Sequence, residues 1–121
     1  MRMAMVIGVK PEKLDEYKAL HASPWPDMNA ALNEANIHDY SIFLKQPENL
    51  LFGVWDYRGL DYEGDMKRLG EKDVTRRWLA LTDPCQTPLA SAGEGQWWSF
   101  MSEQFQQKCV AVLRPELHKI K

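Results

Sequence analysis

Tyr17, His21 and Trp25 stand four residues apart in the stretch Tyr-Lys-Ala-Leu-His-Ala-Ser-Pro-Trp-Pro, residues 17–26. A continuous helix would carry all three on one face. Histidine brings a proton carrier whose ordinary pKa of about 6.5 leaves both charge states within reach near neutral pH. The phenol adds a hydrogen-bond donor and the indole a flat apolar face. Together they could wall a small polar ligand and pass it a proton. Spacing alone favours a partly buried packing stripe over a binding site, because aromatic residues at helical intervals are usually core. Tyr40 and Trp78 carry further groups of the same kinds.

The elements that must position these groups follow from periodicity. Residues 2–9 alternate Met3, Met5, Ile7 and Val9 against Arg2, Ala4, Val6 and Gly8, the period of a strand. Leu14, Tyr17, Leu20 and His21 then repeat at three and four after Pro11, so a helix follows. Pro24 and Pro26 end it around Ala22 or Ser23, because proline has no amide hydrogen and restricts the residue before it. A second helix starts either with Ser23 as its cap or at Pro26 and runs to Asn36, a residue suited to a left-handed terminator. His21 thus sits at a corner.

Residues 37–44 and 50–57 read as a hairpin around Lys45-Gln46-Pro47-Glu48-Asn49. Strict alternation places His38, Tyr40, Ile42 and Leu44 on one face and Asp39, Ser41 and Phe43 on the other. Tyr40 on this pattern is a core tyrosine. Met66, Leu69, Val74, Trp78 and Leu81 give a helix broken near Gly70 and stopped by Asp83-Pro84, with Trp78 facing the core. A connection over residues 83–95 leads to a last strand within Gln96–Phe105. The order strand, helix, strand, strand, helix, strand is a ferredoxin-like split βαβ arrangement, an α+β chain with an antiparallel sheet and helices on one face. The other face needs cover, and a second copy laid against it would give a dimeric α+β barrel.

The 121 residues make one domain, and 15 basic against 17 acidic residues leave no footprint for nucleic acid or an anionic membrane. No apolar run is long enough to span a bilayer, and residues 3–9 are too short for a signal-peptide core. Cys85 and Cys109 belong to no paired motif and read as free thiols in a reducing compartment, the cytoplasm. His21, His38 and His118 form no metal-ligand spacing. His38 reads as structural, His118 as a solvated tail residue, and Asp39 as a surface residue of its strand.

The run Glu16-Tyr17 with His21, then Trp25-Pro26, the segment His38-Asp39-Tyr40 with Ile42 and Leu44, the phrase Asn49-Leu50-Leu51-Phe52, the Arg77-Trp78 helix and the ending Glu103-Gln104-Phe105 together resemble the L-rhamnose mutarotases. The resemblance covers residues 2–107. It implies the dimeric α+β barrel, no metal and no organic cofactor, and an isomerase that interconverts the α and β anomers of L-rhamnose or a related 6-deoxy-hexose. Carried over position by position, the catalytic proton donor falls on His21, and sugar contacts fall on Tyr17 and Tyr40. The family's adjacent tryptophan pair falls on Trp78 and Leu79, so an aliphatic side chain stands where the second indole would be. Trp97 or Trp98 could replace it in space. The expected division is a mutarotase-like domain over residues 1–107 and a tail over residues 108–121; the expected partners are a small sugar and a second copy. The rival readings are an L-fucose mutarotase, a cofactor-free monooxygenase-like enzyme of the same architecture, and a sugar-binding module without activity.

Overall fold

The computed structural model describes residues 1–102. Cys109, His118, Glu103-Gln104-Phe105 and the 108–121 tail lie outside the described residues. Strand β1 (Arg2–Val9) buries Met5, Ile7 and Val9 on one face, as its alternation requires. Burying one such side chain contributes roughly 1.5–3 kcal/mol. A short 3-10 turn at Pro11–Lys13 opens α1 (Leu14–Ala22). Of the two starts open to the second helix, the chain takes Pro26: Trp25 is extended and α2 spans Pro26–Glu34. Proline there costs nothing, since the first helical amides have no intrahelical partner. Past α2, Asn36 takes the left-handed conformation at φ 66° that turns the chain into the next strand.

β2 (Ile37–Lys45) and β3 (Leu50–Tyr57) form the hairpin, but strict alternation fails in β2. The register runs Ile37↔Tyr57 and His38↔Asp56, then resumes at Ser41↔Val54, so Asp39 and Tyr40 together oppose Trp55. This is a β-bulge, with Asp39 left-handed at φ 53°. Aspartate tolerates that region better than most residues. The extra residue shifts the phase, so Ile37 shares the helix-covered face with Tyr40, Ile42 and Leu44. His38 moves to the opposite face with Ser41, correcting the face expected of it. Arg58 ties the bulge down, reaching Asp39 at 3.0 Å and Asp56 at 2.8 Å.

The second helical region is two helices, α3 (Tyr62–Glu71) and α4 (Asp73–Thr82). The break falls at Lys72, which is extended (ψ 140°), and not at Gly70. A 3-10 turn at Asp83–Cys85 then delivers the chain to the free edge of β1. The edge strand is in two pieces: β4 (Gln86–Thr87) pairs with Gly8 and Val9, and β5 (Ser99–Met101) pairs with Ala4, Met5 and Val6. The long connection expected over residues 83–95 is therefore an excursion, residues 88–98, inserted into an edge strand that has already begun.

The antiparallel sheet runs β2-β3-β1, with β4 and β5 in succession beyond β1. The helices cover one face, where Met28, Ala31 and Leu69 meet Met5, Ile37, Trp55 and Tyr57. The opposite face carries Val6, Phe52 and Val54, with Phe43 60% and Met101 51% exposed. At the helix end remote from α1, buried Asp65 accepts hydrogen bonds from Asn36 (3.0 Å), Tyr57 (2.5 Å) and Arg68 (2.6 Å). These donors hold its carboxyl at about 2, the Tyr57 hydroxyl making the largest contribution. The depressed pKa stabilises the fold above the unfolded value of about 3.9, and that stability is lost as pH falls toward 2. Denaturant midpoints of wild type and Asp65→Asn are expected to differ at pH 7 and to converge by pH 2; a gap constant across that range would contradict this account.

Candidate active site

The corner between α1 and α2, the inner face of the hairpin and α4 enclose a cavity of about 480 Å³. That lies within the range of small-molecule sites. Tyr17, His21, Trp25, Tyr40 and Trp78 all line it. The proline break therefore leaves Trp25 on the same wall as Tyr17 and His21, reached from the next helix. Leu79 does not line the cavity and is 42% exposed. Successive helical residues diverge by about 100°, so α4 cannot aim both Trp78 and Leu79 at one pocket. Neither Trp97 nor Trp98 lines it. Trp98 packs instead against Gly53, where a Cβ would meet Met5 at 3.3 Å, Tyr40 at 3.4 Å and Trp98 at 3.5 Å. The missing side chain lets both rings settle onto the sheet.

His21 is half-buried, and its Nδ1 lies 3.0 Å from the Tyr17 carbonyl oxygen. A carbonyl only accepts, so Nδ1 carries the proton and Nε2 is left to act. Neutral, Nε2 is a base; protonated, it is an acid. The ring is held between Tyr17, at 4.3 Å between centroids, and Trp78, at 5.3 Å edge-on. Trp78 in turn meets Trp25 edge-on at 5.1 Å, and the Arg77 guanidinium lies 5.6 Å from the Trp25 ring centre. The imidazole thus has little freedom to turn.

The Tyr17 hydroxyl is pushed up to about 12, mainly by burial. Burial also raises the Tyr40 hydroxyl, whose ring is fixed edge-on to Trp55 at 5.0 Å. Both phenols remain protonated donors near neutral pH. Beneath the pocket, the buried Cys85 thiol donates to a Glu16 carboxylate oxygen at 3.1 Å and is pushed up to about 11 by burial and that carboxylate. It is a packing group, not a nucleophile. Among the described residues, no three His, Cys, Asp or Glu side chains gather to hold a metal. No described helix is long and apolar enough to cross a membrane.

Sequence reasoning missed two polar wall residues, Lys18 and Asn29. Their spacing was a usable signal, since Lys18 is three residues before His21 and Asn29 four after Trp25. Gln86 and Trp97, which reach the site from behind, carried no such signal.

The fold matches solved structures of one broad class. The crystal structure of L-rhamnose mutarotase FA22100 from Formosa agariphila superposes with a TM-score of 0.69 at 18% identity, covering 89% of this chain and 99% of that one. Tetracenomycin F2 cyclase from Streptomyces glaucescens gives 0.66 at 14%, covering 89% and 97%. An antibiotic biosynthesis monooxygenase gives 0.53 at 12%, covering 84% and 96%. The chain is thus a ferredoxin-like α+β protein whose curled antiparallel sheet carries a helix-walled pocket. Sequence narrows the class. The family model described as L-rhamnose mutarotase matches residues 2–107. The L-rhamnose mutarotase of Pectobacterium atrosepticum is 33% identical over 98 residues, 76% of this chain and 91% of that protein. That of Escherichia coli is 30% identical over 105 residues, 85% of this chain and 78% of its own length. The chain belongs to the L-rhamnose mutarotase family.

Proposed function

We propose that the protein is an aldose mutarotase, an isomerase exchanging the α and β anomers of L-rhamnose or a related 6-deoxy-hexose. The observation that carries this reading is the single cavity in which a tautomer-fixed histidine meets two protonated phenols and an indole, in a chain of this family. Protonated His21 gives its Nε2 proton to the ring oxygen as the C1–O5 bond breaks, and the anomeric hydroxyl releases its proton to water. The open-chain aldehyde turns about C1–C2. Closure on the other face reverses both transfers and restores the imidazolium. Tyr17 and Tyr40 hold sugar oxygens, and Trp78 offers its face to the sugar's C–H surface. Ile42, Leu44 and Leu51 on the sheet side suit a methyl group where an ordinary hexose would present a hydroxyl. The mutarotase unit is residues 1–107, with residues 108–121 an added tail.

Two copies pairing through the exposed sheet face would close the barrel, and the apolar character of that face supports a homodimer. We place the protein in the cytoplasm, in keeping with its sugar chemistry. Exchange NMR of anomeric protons with L-rhamnose, and then L-fucose, tests the activity. Acceleration above the spontaneous rate is expected, with the stronger response naming the preferred sugar. No acceleration with either would overturn the assignment.

A further inference from the structure

We propose that Trp97 and Gln86 form a positioning relay that aims the Tyr17 hydroxyl proton into the cavity. The proposal rests on the mutarotase reading, in which Tyr17 donates to the sugar. The Trp97 indole N–H donates to Gln86 Oε1 at 2.7 Å, and Gln86 Nε2 donates to the Tyr17 hydroxyl oxygen at 3.3 Å. An indole can only donate, so Trp97 decides which end of the buried Gln86 amide faces it. The amide nitrogen is thereby turned on Tyr17. The phenol oxygen must then accept, and its own proton has to point elsewhere. Among the described residues no acceptor bonds it, and the cavity is the space Tyr17 lines. With the amide reversed, Oε1 would take that proton and leave a lone pair facing the sugar.

The split edge strand now has a physical purpose. In an unbroken strand, Gln86 and Trp97 would stand about 35 Å apart at roughly 3.3 Å per residue. The excursion over residues 88–98 folds the chain back so that Trp97, itself 40% exposed, brings its N–H against the buried amide. Gln86 is fixed by the pairing of β4 with Val9. Neither side chain lines the cavity, so both act through Tyr17 and are positioning residues.

Anomer exchange with L-rhamnose, measured for wild type, Trp97→Phe and Gln86→Glu, tests the relay. Trp97→Phe is expected to lower the melting temperature modestly, because it leaves the buried Gln86 Oε1 without its donor, and to lower kcat/KM about five- to tenfold in protein still folded at the assay temperature, the worth of one hydrogen bond. Gln86→Glu reports a titration that a merely structural residue would lack. As a carboxylate the new side chain accepts from both Trp97 and Tyr17 and draws the phenol proton away. Once protonated it donates to Tyr17 while still accepting from Trp97. The rate of Gln86→Glu relative to wild type is therefore expected to rise about fivefold as pH falls from roughly 8 toward 4, the span in which a buried glutamate protonates. Taking the ratio removes pH effects common to both proteins. An active wild type with unimpaired Trp97→Phe and a pH-independent ratio would overturn the relay and leave the mutarotase assignment standing. A wild type that accelerates exchange of no sugar would overturn both.

Discussion

Replacing His21 with alanine is expected to lower catalysed anomer exchange by about 10²–10⁴-fold, the usual worth of a positioned acid or base. Binding should suffer far less, because Tyr17, Tyr40 and Trp78 remain and the cavity only widens between the Tyr17 and Trp78 rings. The measurement pairs exchange NMR, for rate, with saturation-transfer NMR, for contact with the sugar. Rate lost with binding retained identifies His21 as the proton donor. A variant keeping more than about a tenth of the wild-type rate would remove His21 from that role. If wild type binds sugar but accelerates nothing, the chain is a binding module, and the variant should then bind as wild type does.

The second large effect concerns the bulge. Deleting Asp39 restores two-residue alternation along β2, so one end of the strand must turn its side chains over. Two segments compete for the helix-covered face. Ser41 to Lys45 make five consecutive pairings with β3 next to the hairpin turn, whereas only Ile37 and His38 pair beyond the bulge. The shorter segment should yield. Ile37, 1% exposed in the intact protein, would turn outward and His38 inward. Losing a buried aliphatic of this size costs about 2–5 kcal/mol, while Tyr40 keeps its place in the cavity. The deletion also removes the exposed Arg58–Asp39 ion pair, but such pairs contribute at most about 1 kcal/mol. Asp39→Asn, which loses the charge and keeps a residue tolerant of positive φ, is the control. Urea unfolding should show a large loss for the deletion and a small one for the control. Equal losses would mean that the ion pair, not the phase shift, is what matters there.

These cases show where sequence reading succeeds. Strand β1 and the corner after Ala22 were legible because each rests on a local cause: strict alternation in one, two prolines in the other. The resemblance named His21, Tyr17, Tyr40, Trp78 and Leu79; the first four line one cavity, and Leu79 does not. The bulge was not legible, because Asp39 sits in an otherwise regular alternating run and its left-handed backbone is imposed by pairing with a partner strand. The helix break fell at Lys72 although Gly70 is the weaker helix former, and α4 begins there without a side-chain cap that the sequence could have shown. The edge strand was hidden for a like reason: two residues, Gln86 and Thr87, are too few to show a period and are held only by β1. Gln86 itself looks like any surface glutamine until Trp97 is folded against it.

Most of the cavity wall comes from one contiguous piece of chain, the two short helices between Leu14 and Leu32, while the sheet supplies its floor and α4 a single indole. The proton donor and most of the wall are thus inherited together as one segment, while the sheet residues Tyr40, Ile42, Leu44 and Leu51 and the indole of Trp78 complete the fit. A lineage can reshape the larger part of its pocket by rewriting fewer than twenty consecutive residues and leave the rest of the molecule to fold as before. The same segment is the natural unit to exchange between relatives when a new specificity is sought.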